Sequence, residues 1–207
     1  MVKGNLAQTR LREHLLVNGG APGSKVPSER DLAATLAVSR PALREAMRGL
    51  VHLGLLEQRR GAGTFVAAVD LIDLMRVRRQ LEPLAAQEAA LHRDDADVGE
   101  LDGLVRALSN DIHDADRFAQ SDMHLHERLA AASKNRILAQ VLGDLTDMLR
   151  LSRQRTAHDL DVRRRSLRDL SELVDHVTAQ RADAAAEVMA RHLDCIGAAL
   201  DADDPSP

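Results

Sequence analysis

From about Asp70 to the carboxyl end the chain carries no strand signal, and this limits the fold more than any single motif does. Apolar residues there recur every three or four positions, the period of a helix with one buried face. The pattern is interrupted near Arg93–Val98, His113–Asp116, Lys134–Asn135, His158–Asp161 and Gln180–Asp183, which predicts six helices and no sheet. The last stretch, "DADDPSP", is expected to fray.

The first third reads differently. Leu6, Leu11, Leu15 and Leu16 recur at helical spacing until "NGGAPG", predicting a helix over about residues 5–17. Ser28 makes an N-cap with Asp31 three places on, and Leu32, Ala33 and Leu36 supply the buried stripe of a short second helix. After the turn "AV", Ser39 caps a third helix. Pro41 falls in its first turn, where a missing N–H has no intrahelical partner to lose. Leu43, Ala46, Met47, Leu50 and Leu53 hold one face as far as Gly54, leaving Arg40, Arg44 and Arg48 on another. "LLEQRRGAGTFVAA" then reads as two short strands around a glycine-containing turn. Three helices and a two-stranded wing make a winged helix-turn-helix, so the expected domains are residues 1–69 and 70–207.

Charge follows the same division. Residues 1–69 hold ten Lys/Arg against five Asp/Glu, which leaves 18 basic and 27 acidic residues for the remainder. A basic head on an acidic body implies that the head alone meets a polyanion. With Phe65 and Phe118 as the only aromatic residues, the stacking platforms used on single strands and RNA are missing, so the polyanion is double-stranded DNA. The single cysteine, Cys195, excludes an intramolecular disulfide and fits a reducing compartment. The amino terminus has no apolar signal region, and no apolar run nears the roughly 20 residues of a membrane span, so the expectation is a soluble cytoplasmic chain without a membrane partner.

A helix N-terminus offers free N–H donors and the positive end of a dipole, and arginines one turn apart reach phosphates and guanine edges. Helix-turn-helix docking places Ser39, Arg40, Pro41 and Arg44 at such a contact, with Arg30 nearer the backbone. The segments "PSERDLAATLAVSRPALREAM" and "GLLEQRRGAGTFV" resemble the DNA-binding domain of the GntR family of bacterial transcription regulators over nearly all of residues 6–67. The resemblance implies DNA contacts from Arg30, Ser39, Arg40, Pro41 and Arg44, with the wing turn from Gly61 to Gly63 entering the minor groove. Arg48 lies further along the helix, either as an ion-pair partner of Glu45 or beside a phosphate.

In the body, "LMRVRRQLEPLAAQEAA" and "FAQSDMHLHERLAAASKN" resemble the ligand-binding (FCD) domain of the FadR-like branch, and the six-helix count is similar to that of its VanR-like members. That likeness implies an antiparallel all-α bundle around a cavity for a small carboxylate, often with a divalent metal held by one Asp and three His. Asp122 and His126, at i and i+4, project from one helix face and suit a single ion such as zinc. His192 sits on an apolar stripe between Met189 and Ile196, either as a core histidine or as a third ligand. By the family's spacing the fourth position falls on Leu170, which cannot coordinate, so the set has three protein ligands and metal binding stays open. Cys195, one turn from His192, fits a small buried filler better than a thiolate ligand. Arg78 matches the family's inward arginine for the effector carboxylate, Asn135 matches an N-cap, and "VRRRSLRD" reads as a solvated face.

The expectation is thus a homodimeric, metabolite-responsive transcription regulator, by default a repressor, that reads a palindromic operator and is not an enzyme. Two alternatives differ in class. A metal-dependent hydrolase with an appended DNA-binding domain would need a general base and a cleft that the residue pattern does not offer. An architectural DNA binder would use the body for pairing only.

Overall fold

The computed structural model describes residues 3–18, 22–68, 70–152 and 159–203. Its elements in chain order are Lys3–Asn18 (α1), Glu29–Thr35 (α2), Arg40–His52 (α3), Leu56–Arg59 (β1), Gly63–Val66 (β2), Leu71–His92 (α4), Asp95–Asn110 (α5), Ala115–Ala132 (α6), Arg136–Ser152 (α7), Leu160–Thr178 (α8) and Ala182–Asp203 (α9). They fall into two compact units: Met1–Asp70 with Asp147–Ser152, and Leu71–Thr146 with Arg153–Pro207. Among the described residues no helix is long and apolar enough to cross a membrane.

The first unit is a winged helix-turn-helix. Its core joins Ala7, Leu11 and Leu15 of α1 to Leu32 and Ala33 of α2, to Leu43, Ala46, Met47 and Leu50 of α3, and to Leu56 and Val66 of the wing. Leu6 departs from the expected stripe and is 50% exposed. The buried series in α1 runs 7, 11, 15, at i+4 intervals, which turns residue 6 outward. The break at "NGGAPG" falls partly on residues 19–21, outside the described set.

The wing pairs antiparallel, with Leu56 opposite Val66 and Arg59 opposite Gly63. Gly61 and Gly63 take φ of 75° and 117°, the conformations that let two strands close through so short a turn. Lys25 bridges to Phe65, and the Arg59 guanidinium lies 4.3 Å above the Phe65 ring.

Between α2 and α3 the turn depends on Ala37, whose φ is 49°, a left-handed position that costs a residue bearing Cβ. Arg10 of α1 donates from Nη1 to the carbonyls of Leu36 and Ala37 at 3.0 and 3.2 Å, so a neighbouring helix clamps the strained turn.

In the second unit six helices follow Asp70 among the described residues. The break before α5 is tighter than the sequence suggests because an aspartate caps within it, whereas the one before α6 falls earlier, at residues 111–114. Asp94 and Asp97 form a reciprocal capping box at the start of α5, and Asp114 caps α6. Asn135 accepts from the N–H of Leu138 at 3.1 Å, the expected capping role at α7. Of the break expected at His158–Asp161, His158 lies outside the described set with residues 153–157, as do residues 204–207 of the tail, and Asp159 caps α8. Asp201–Asp203, expected to fray, end α9 as helix.

α4 runs through the middle of this unit, packing against α6, α8 and α9. Ala85, Ala86, Ala89 and Ala90 are all buried on it, small enough to let neighbouring backbones approach. The core continues through Leu101, Leu125, Leu129, Leu170, Leu173, Val177, Val188 and Leu193. The "VRRRSLRD" stretch is only partly a solvated face, because Arg163 and Ser166 are buried and the Arg163 Nε donates to the Ile112 carbonyl at 2.8 Å. A long side chain reached back across the bundle to an orphan carbonyl, which periodicity cannot show.

Replacing Ala37 by glycine removes the left-handed penalty at that turn and is expected to stabilise the first unit by about 0.5–1 kcal/mol. Denaturant unfolding followed by circular dichroism checks this through a raised midpoint.

Candidate functional site

Two places in the molecule concentrate chemistry. The first is the amino end of α3. Ser39 sits in extended backbone (φ −71°, ψ 147°) and its Oγ accepts from the N–H of Ala42 at 3.3 Å, with Pro41 in the first turn. Ser39, Arg40, Pro41 and Arg44 are exposed here, while the opposite face of α3 is buried through Leu43, Ala46, Met47 and Leu50. Gly61 and Gly63 are exposed at the tip of the wing, and the Arg30 side chain is 83% exposed.

Arg44 is not loose. Glu29, the first residue of α2, accepts from its Nη2 at 2.9 Å and from its Nε at 3.3 Å. The hydrogen bonds from Arg44 hold the Glu29 carboxyl below its ordinary range, and Glu29 in turn raises the arginine. Arg48 pairs with Glu45 at 3.3 Å, which realises the intrahelical alternative in this state.

The second place is inside the helical unit. Asp122 and His126 on α6 and His192 on α9 each present a donor atom, and these atoms lie within 4.8 Å of one another; all three residues are buried. The two imidazole rings are 5.3 Å apart, centre to centre. His126 Nε2 and His192 Nδ1 are buried without a hydrogen-bond partner. Buried polar atoms normally find partners, so two orphaned ring nitrogens beside a carboxylate are the arrangement that a divalent ion completes. The mixed N and O donor set suits zinc or a similar borderline ion. Burial, opposed by the nearby Asp122 carboxylate, pushes His192 down to about 3, so its ring is neutral near pH 7 with a lone pair to give.

Leu170, at the fourth family position, is fully buried among apolar residues of the core. Cys195 is half-exposed, not the buried filler expected, and stands outside the three-residue group.

Arg78 does point inward and is 2% exposed. Its Nε donates to Oε1 of Glu82 one turn on, and its Nη1 lies 3.5 Å from the Met75 sulfur. Glu82 is the residue that sequence reading missed. Its Oε2 lies 2.5 Å from His126 Nδ1, joining the arginine to the donor cluster. Burial drives the Glu82 carboxyl upward, but the Arg78 charge and the hydrogen bonds from His126 and Arg78 outweigh it, and the group is held well below the usual carboxylate range. The i, i+4 spacing of Arg78 and Glu82 was a signal, though one shared with many exposed helical pairs.

A winged helix-turn-helix with an arginine-rich helix end, followed by a helical bundle with a buried donor cluster, defines a DNA-binding regulator with a sensing domain. Comparison with known proteins makes this specific. Residues 5–66 match the model of the bacterial regulatory proteins of the gntR family, and residues 73–194 match the FCD domain. The chain belongs to the FCD-containing branch of the GntR family of transcription regulators. It is 29% identical over 197 residues to the putative L-lactate dehydrogenase operon regulatory protein of Escherichia coli, covering 83% of this chain and 76% of that one. It is 27% identical over 187 residues to the galactonate operon transcriptional repressor of the same organism, covering 79% and 82%. Among solved structures, E. coli McbR/YncC shares the fold with a TM-score of 0.80 at 20% identity, over 94% of each chain.

Removing Glu82 alone strands the Arg78 charge in the bundle. Glu82→Ala is therefore expected to destabilise by about 3–5 kcal/mol, whereas Arg78→Met combined with Glu82→Gln removes both charges and stays within about 2 kcal/mol of wild type. Urea unfolding of the three proteins separates these outcomes.

Proposed function

We propose that this regulator is a cytoplasmic homodimer that reads a palindromic operator through Arg30, Ser39, Arg40, Pro41 and Arg44, with Gly61 and Gly63 of the wing at the minor groove. The observation that carries this reading is the amino end of α3, where the cap, the proline and two arginines are all exposed while the other face of the helix is core. A helix end of that kind favours phosphate and presents guanidinium groups to base edges.

Pairing is supported by an apolar seam. Val77, Leu84 and Leu91 follow one another at seven-residue intervals along α4 and are 45%, 42% and 53% exposed. Ile137 and Val141 of α7 are also exposed, and Leu81 and Ala85 pack with Leu138 and Leu142 between the two helices. A seam repeating every seven residues suits a second helix, and twofold pairing would present two heads to a twofold site.

The bundle is the sensor. A divalent ion held by Asp122, His126 and His192 leaves coordination positions for a small carboxylate, and Arg78 supplies positive charge beside them. Two relatives carry names that refer to L-lactate dehydrogenase and galactonate operons, and both lactate and galactonate are small hydroxycarboxylates. One relative is named a repressor, in keeping with release of DNA as the default response to effector. The effector acts by binding one arrangement of the paired heads more tightly than the other.

Arg44→Ala is expected to weaken operator binding by about 1–3 kcal/mol and to relax base preference at one position in each half-site. Fluorescence-anisotropy titrations on operator and scrambled duplex read both effects, and equal affinity of wild type and variant for operator rejects the assignment. For the seam, Leu84→Glu with Leu91→Glu is expected to halve the mass seen by light scattering and to lower operator affinity at least tenfold through loss of the second half-site.

A further inference from the structure

We propose that Glu82 is a positioning residue for the metal centre: it fixes His126 as an Nε2 ligand, and Arg78 locks Glu82 in place to do so. This inference rests on the reading of Asp122, His126 and His192 as a divalent-metal site.

The proton assignment follows from chemistry. An ionised carboxylate can only accept, so the 2.5 Å contact between Glu82 Oε2 and His126 Nδ1 places a proton on Nδ1. In the neutral ring the lone pair then resides on Nε2, the buried nitrogen without a partner. The geometry selects one tautomer and directs its free nitrogen away from Glu82. A carboxylate on the far nitrogen also raises the basicity of a ligating imidazole.

Glu82 is itself immobilised. Its other oxygen, Oε1, accepts from Arg78 Nε, so both carboxylate oxygens are occupied. That accounts for a buried carboxylate so near the donor cluster without a place in it: the group that can close on an ion comprises Asp122, His126 and His192. The link also crosses elements, since Glu82 and Arg78 lie on α4 while His126 lies on α6, so the ring is held from a neighbouring helix as well as by its own backbone. With Leu170 at the family's fourth position, three ligands carry the affinity, and the orientation of each weighs more.

The arrangement changes what Arg78 means. An arginine free in a cavity would be a receptor for an effector carboxylate, but here its Nε is committed to Glu82. The arginine supports the metal ligand first, and an incoming carboxylate has to share it.

The test is Zn2+ affinity, measured by competition with a chromophoric chelator, for the full-length wild type, an Arg78→Met/Glu82→Met variant that leaves no acceptor for the His126 Nδ1–H, Arg78→Met alone and His192→Ala. Removing such a carboxylate partner is expected to weaken metal binding about 10–100-fold. The double variant should show that loss while its melting temperature in EDTA stays near that of wild type. Arg78→Met alone, which keeps Glu82, should lose less. His192→Ala should lose binding outright.

A second measurement needs no variant at Glu82. Long-range 1H–15N correlation spectra of the metal-free wild type, with His126 assigned by substitution, should show the Nδ1–H form.

Wild-type affinity in a folded double variant, or an Nε2–H tautomer in the wild type, overturns the role of Glu82 and leaves the site standing. Failure of the wild type to bind Zn2+, or full binding by His192→Ala, removes the three-ligand site and the role of Glu82 with it.

Discussion

Ionised groups taken out of water into a helical bundle need partners where they lie, because desolvation exceeds any attraction that is not made at close range. In this chain that constraint converges on Glu82. Its two oxygens face Arg78 from the same helix and His126 from the next, so one carboxylate ties α4 to α6 and sets the orientation of a donor nitrogen. The alanines further along α4 contribute by having little side chain, which lets neighbouring helices come close enough for a glutamate to span the gap.

The first unit solves a different problem. One face of α3 is dry and its amino end is wet, the helix dividing cleanly between Leu43, Ala46, Met47 and Leu50 on one side and Arg40, Arg44 and Arg48 on the other. Two of these arginines are paired with acids, Arg44 with Glu29 and Arg48 with Glu45. Exposed pairs of this kind contribute little to stability, so a phosphate or base edge can compete for them at small cost.

The elements of this fold were largely legible residue by residue. Ser28 and Ser39 cap as expected because a serine before a helical run has few other uses, and Asn135 does the same at α7. The burial of Leu32, Leu43 and Leu50 follows directly from spacing. Leu6 failed because two phases of the same helix each offered leucines, and only packing on α3 chose between them. Arg163 failed for a related reason: a run of arginines looks solvated unless one knows that a carbonyl of another element lies within its reach.

The candidate site shows the limit more clearly. Sequence alone determined that Asp122 and His126 share a helix face, that His192 lies on an apolar stripe, and that Leu170 cannot coordinate, since these depend on helical period and side-chain chemistry. Tertiary structure decided that α6 and α9 bring those three residues to one point and that Glu82 stands behind His126. Spacing along one helix repeats every 3.6 residues and can be read from a string of letters. The meeting of atoms 44 or more residues apart depends on how helices cross, which is set by the summed packing of many side chains, none of which carries the information alone.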